Sequence, residues 1–65
     1  MEIDMKSPDG NAFAIMGHVR RLLIDVGRGD EWPKIRKRMM SGGYNNLCET
    51  AADVTNGAIT VVNRT

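Results

Sequence analysis

The chain has 65 residues, 42% of them hydrophobic and 26% charged, with a formal net charge of +1 and a single cysteine. A chain this short has room for one domain and a core near the lower limit for independent folding. One cysteine excludes an internal disulfide, and Cys48 with the only histidine, His18, falls short of the three or four ligands of a zinc site, so self-association is the expected route to extra stability.

In chain order, Glu2 to Lys6 alternates polar and apolar, which predicts a short strand with Ile3 and Met5 on its buried face. Ser7-Pro8 reads as a helix start with Ser7 as N-cap, while Pro8-Asp9-Gly10 is equally a turn signature that would delay the helix to Asn11. Ala12, Ile15, Met16, Val19, Leu22, Leu23 and Val26 recur at spacings of three and four, the apolar stripe of an amphipathic helix stopped by Gly27 and Gly29. Phe13 and Ile24 lie outside that stripe and are candidates for a second contact surface. Gly17, costly inside a helix, points to close approach of another backbone or a ligand.

Asp30 is the expected N-cap of a second helix, with Trp32, Ile35, Met39 and Met40 on its apolar side and Trp32 pinning it to the first helix. Ser41-Gly42-Gly43 ends it. A third helix is expected from about Tyr44 to Val54, with Tyr44, Leu47, Cys48, Ala51, Ala52 and Val54 inward. Asn56-Gly57 is a turn dipeptide, and the β-branched run from Ala58 to Val62 predicts a strand. The expected fold is α+β and mostly helical: a short N-terminal strand, three helices and a short C-terminal strand over a single domain of residues 1–65, the terminal strands pairing antiparallel. Open edges of that small sheet offer one way to form a homo-oligomer.

The charge is unevenly placed. Residues 20–38 hold seven basic side chains against three acidic ones, a local net of +4 that the overall +1 conceals, and such polarity attracts anionic partners. Arg20, Arg21, Arg36, Lys37 and Arg38 are the candidate phosphate contacts, with Asn11 or Tyr44 for a base. The backbone N–H groups near Gly10 and Asn11 are a candidate anion site at a helix start, although no Gly-Lys-Ser/Thr of a P-loop is present. A helix-turn-helix fits the short glycine-containing connection before Tyr44, but the third helix carries Glu49 and Asp53 and no Lys or Arg, which argues against it as a recognition helix. No Ser, Cys, His and acid spacing marks a nucleophile, and no cofactor is expected. The five methionines suit an adaptable apolar contact surface, with Met39-Met40 its centre. The acidic N-terminus lacks the features of a signal peptide, and Ala12 to Val26 is too short and too charged for a membrane span.

Ser7-Pro8-Asp9-Gly10-Asn11-Ala12-Phe13-Ala14-Ile15-Met16-Gly17, and more loosely Met39-Met40-Ser41-Gly42-Gly43-Tyr44-Asn45-Asn46-Leu47, resembles a family of small proteins encoded by tailed bacteriophages. The resemblance implies a phage origin and a helical fold with short strands and carries no activity of its own; with an unpaired thiol and no signal-peptide features, the expected location is the host cytoplasm. Together these features predict a non-enzymatic accessory protein that counters a host defence, by sequestering a nucleotide signal or blocking a host protein. The alternative is a small nucleic-acid-binding regulator that uses the basic 20–38 segment.

Overall fold

The computed structural model describes residues 1–64. Two strands, β1 (Glu2–Asp4) and β2 (Thr60–Val62), enclose three helices in sequence, α1 (Ala12–Asp25), α2 (Trp32–Met39) and α3 (Tyr44–Val54). The α+β, mostly helical expectation therefore holds. Pairing of the strands does not follow it: β1 and β2 are parallel, with Glu2, Ile3 and Asp4 opposite Thr60, Val61 and Val62. Parallel strands need a long crossover, and three helices supply one.

This ladder is short, and it is held by what surrounds it. The Met5 N–H donates to Val62 O and the Thr60 N–H to Met1 O, each at 3.0 Å. Ile3 and Val61, in register, turn into the core, while Met5, expected as a strand residue, lies just beyond β1 and packs on the core's margin. That core gathers Ile15, Val19 and Leu23 from α1, Ile35 and Met39 from α2, and Leu47, Cys48 and Ala51 from α3, closed below by Ile59. At ~25 cal/mol per Å² of apolar surface, each of the Ile, Leu, Val and Met side chains among these contributes about 1.5–3 kcal/mol when fully buried.

Helix ends show where local chemistry decided between alternatives. Ser7 does not cap α1; its hydroxyl donates to Asp4 O at 2.7 Å, and Pro8–Gly10 forms a 3-10 turn. The helix is delayed to Ala12, with Asn11 as N-cap: its Oδ1 accepts from the Ala14 N–H and its Nδ2 donates to Pro8 O, both at 2.8 Å. α1 closes with Gly27 at a φ of +79°, the Gly27 N–H on Ile24 O and the Arg28 N–H on Leu23 O. That leaves Val26, expected on the apolar stripe, exposed beyond the helix. α3 ends the same way, with Asn56 in the left-handed region and the Gly57 N–H on Ala52 O. Asp30 caps nothing; it lies in a 3-10 turn (Gly29–Glu31) that runs directly into α2.

The two glycines singled out inside structural elements exchange roles. A methyl group on Gly17 would meet nothing within 4 Å, so no backbone packs there. Gly10 is the close approach, because a Cβ would lie 2.1 Å from Met5 O. No helix among the described residues is long and apolar enough to cross a membrane.

Candidate functional site

Three- and four-residue steps along a helix bring side chains to one side, and Ala12 and Met16 at the start of α1 face Met39 and Met40 at the end of α2 and Tyr44 and Leu47 at the start of α3. Between them lies an apolar groove of about 280 Å³. Ala12, Phe13 and Met16 form its α1 wall, and Met39, Met40, Tyr44 and Leu47 the other, with Gly42 and Gly43 keeping the rim low. Met39 is fully buried at the floor, whereas Phe13 is 82% and Met40 53% exposed. An apolar cavity of about 150 Å³ accommodates a benzene ring, so this groove has room for more than one partner side chain.

A hydrogen bond joins the segments that carry the two walls. The Tyr44 hydroxyl donates to the Gly10 carbonyl across 34 positions of sequence. Burial pushes the Tyr44 phenol above its usual value, with neighbouring Cys48 adding to the rise and Arg64 opposing it. The neutral phenol is the donor this contact needs. Cys48 itself is a buried free thiol in the core, away from solvent.

The residues expected to bind an anion divide into two sets. Asn11 spends both ends of its amide on the helix cap, and its Oδ1 takes one of the N–H groups that an anion at the helix start would need. The Gly10 N–H is likewise bonded, to Ser7 O at 2.9 Å. Arg21 pairs with Asp25 at 3.4 Å one turn along α1, and Arg38 Nη2 pairs with Asp53 at 2.8 Å on the α3 side of α2. Arg20, Arg36 and Lys37 have no carboxylate within ion-pairing distance among the described residues, and neither has Lys34. Arg20 stands one turn beyond Met16, and Arg36 one turn before Met40, so both lie beside the groove.

Arg28 had no assigned role in the sequence. Its guanidinium grips Glu31 through two bonds of 2.9 Å and donates a third, of 3.0 Å, to Val54 O, tying the α1–α2 connection to the end of α3. That fork holds the Arg28 guanidinium more firmly protonated and the Glu31 carboxyl below the usual carboxylate range, chiefly through the hydrogen bonds between them. Asn46 donates to Arg38 O at 3.0 Å and caps the end of α2. His18 faces Asp9 at 3.7 Å on the opposite side of α1 from the groove. No group of three His, Cys, Asp or Glu side chains among the described residues could hold a metal ion. The chain was compared with family models, curated proteins and solved structures, and none matches it.

Proposed function

We propose that this is a non-enzymatic accessory protein of a tailed bacteriophage that counters a host defence by binding and blocking a host protein, and that the groove beside Phe13 is where it binds. One observation carries the reading. The two segments that bear the phage likeness, some thirty residues apart, form the two walls of one groove and are joined by the Tyr44–Gly10 bond. Three methionines and an exposed phenylalanine make that groove soft and adaptable, the character of surfaces that accept a protein partner. Its one titratable side chain, Tyr44, has its hydroxyl bonded internally, which supports binding over catalysis.

A nucleotide signal fits this arrangement less well. Of the side chains expected to hold it, Asn11, Arg21, Arg38 and the Tyr44 hydroxyl already have partners that a ligand would have to displace. A nucleic-acid regulator draws its support from Arg20, Arg36 and Lys37, whose charges are uncompensated. It predicts binding that weakens steeply with salt as counterions are released.

Affinity capture from a bacterial lysate with the native protein and with Phe13→Ala/Met40→Ala tests the reading. The expected result is a stoichiometric complex formed by the native protein and lost by the double variant, whose circular dichroism stays native because both side chains are exposed. Equal capture by both proteins overturns it. So does salt-sensitive nucleic-acid binding that the double variant retains in full.

A further inference from the structure

We infer that the occupant of the α1–α2 face is an acidic amphipathic helix of a partner protein; the inference rests on the binding reading above and specifies the chemistry of the partner. On α1, Phe13, Gly17, Arg20 and Ile24 recur at spacings of four, three and four, and all four are exposed. On α2, Trp32, Arg36 and Met40 recur at spacings of four, and Met40 lines the groove beside Phe13 of α1. From Phe13 to Ile24 is about 16 Å at 1.5 Å per residue, the length of three helical turns. The apolar side chains stand at the two ends of this strip, the arginines between them. Gly17 leaves the middle of the α1 ridge low, with open space where a side chain would stand.

Charge selects among occupants. No Asp or Glu occupies any of these positions, and the arginines that do have carboxylate partners point elsewhere, Arg21 to Asp25 and Arg38 to Asp53. Arg20, Arg36 and neighbouring Lys37 therefore present uncompensated positive charge beside exposed Phe13, Ile24 and Met40. A second copy of the chain would set Arg20 and Arg36 against their own equivalents. A nucleic acid would answer the cations and leave the three apolar side chains in water. A partner carrying carboxylates beside apolar anchors satisfies both.

The partner's backbone is selected too. The walls of the strip are helices whose amides and carbonyls bond internally, so they offer no ladder to an extended peptide. A helix brings its own backbone bonds and presents anchors at i, i+3 or i+4, and i+7, the spacing this face repeats.

The test uses three labelled probes with the full chain: a three-turn peptide with Leu anchors at i, i+4 and i+7 and Glu on the flanks, the same peptide with Lys for Glu, and a short DNA duplex. Fluorescence anisotropy is expected to show binding of the Glu peptide alone. That binding should weaken at least about tenfold in Phe13→Ala, as loss of an aromatic hot-spot anchor does. Arg20→Glu/Arg36→Glu should reverse the preference, binding the Lys peptide over the Glu peptide, which a misfolded variant would not do. Equal binding of the two peptides, tighter binding of the duplex, or a dimer in ultracentrifugation that Phe13→Ala/Met40→Ala dissolves each overturns the inference. If host capture still depends on Phe13 and Met40 while the peptides are not distinguished, the acidic-helix chemistry falls and the binding reading stands. If capture is indifferent to Phe13 and Met40, both fall.

Discussion

Gly10 and Gly17 make opposite predictions for the same substitution. Replacing Gly10 with Ala puts a methyl carbon 2.1 Å from Met5 O, 2.5 Å from its carbonyl carbon and 2.7 Å from its Cα. All three atoms are backbone, so relief requires the turn from β1 into α1 to move as a unit. Overpacking of this kind costs about 1–3 kcal/mol where side chains can yield, and backbone yields less, so about 3 kcal/mol is expected. The shift also strains the Tyr44–Gly10 hydrogen bond, worth about another 1 kcal/mol. Against a total stability of roughly 3–10 kcal/mol for a chain of this size, that is a severe loss.

Gly17→Ala meets nothing within 4 Å at an exposed position inside α1, and exchanging Gly for Ala in a helix interior gains about 1 kcal/mol. At about 4–8 °C per kcal/mol for small domains, thermal unfolding followed by far-ultraviolet circular dichroism should place Gly10→Ala at least roughly 12 °C below the native protein. Gly17→Ala should unfold about 4–8 °C above it. A Gly10 variant that melts within a few degrees of the native protein refutes the close approach, and a destabilised Gly17 variant refutes the open face of α1.

Tyr44 makes stability depend on alkaline pH. Because burial raises its folded pKa, the contribution is complete below the unfolded value near 10 and is lost as pH rises through the folded value, so melting temperatures should fall above about pH 10 and Tyr44→Phe should remove part of that slope. Glu31 acts at the other end: its folded pKa is lowered, so its contribution is present above the usual carboxylate range and disappears as pH falls through the folded value. Glu31→Gln should therefore lower the melting temperature at neutral pH and make little difference in strong acid. The buried Thr55 hydroxyl donates to Ala51 O at 2.6 Å and accepts from the Ile59 N–H at 3.1 Å, so Thr55→Val leaves a buried donor unpaired and should cost about 1–3 kcal/mol in denaturant titrations.

The three helices were legible because their apolar stripes are periodic, and a stripe reports burial whichever neighbour provides it. Strand direction was not, since Ile3 and Val61 would turn inward in either pairing; what sets the direction is the route of the intervening chain, which no residue of β1 or β2 encodes. Gly17 was misread for a related reason. A helical glycine signals either close approach or indifference, and the distinction lies in what stands opposite. Gly10, inside a stretch already distinctive as a turn, concealed the tighter contact, because its neighbour Met5 comes from the preceding segment. Of the groove, Phe13 and Met39-Met40 were visible as apolar residues outside or at the end of a stripe. Their meeting was not, and the Tyr44–Gly10 bond that fixes it has no local sequence signal.

The basic segment shows what the structure adds to a count of charges. In sequence, residues 20–38 are a single run whose excess of four invites one explanation for all its members. Folded, Arg28 is spent on Glu31 and Val54 O, Arg38 on Asp53, and Arg21 on Asp25. Those three serve the architecture: one ties a connection to a helix end, one joins α2 to α3, and one lies along α1. Exposed pairs such as Arg21–Asp25 contribute little to stability, about 0.3–0.5 kcal/mol for a helical pair, but each removes an arginine from the pool free to meet a partner. The uncompensated charge that remains includes Arg20 and Arg36, and both stand on the side of the helix pair where Phe13, Ile24 and Met40 are exposed. Substituting the paired arginines should thus alter stability without changing partner choice. Substituting Arg20 and Arg36 should do the reverse, a separation measurable by melting each variant and titrating it with the acidic peptide. If Arg38→Ala weakens peptide binding as much as Arg36→Ala at unchanged melting temperature, the division of the segment into architectural and free charge is wrong.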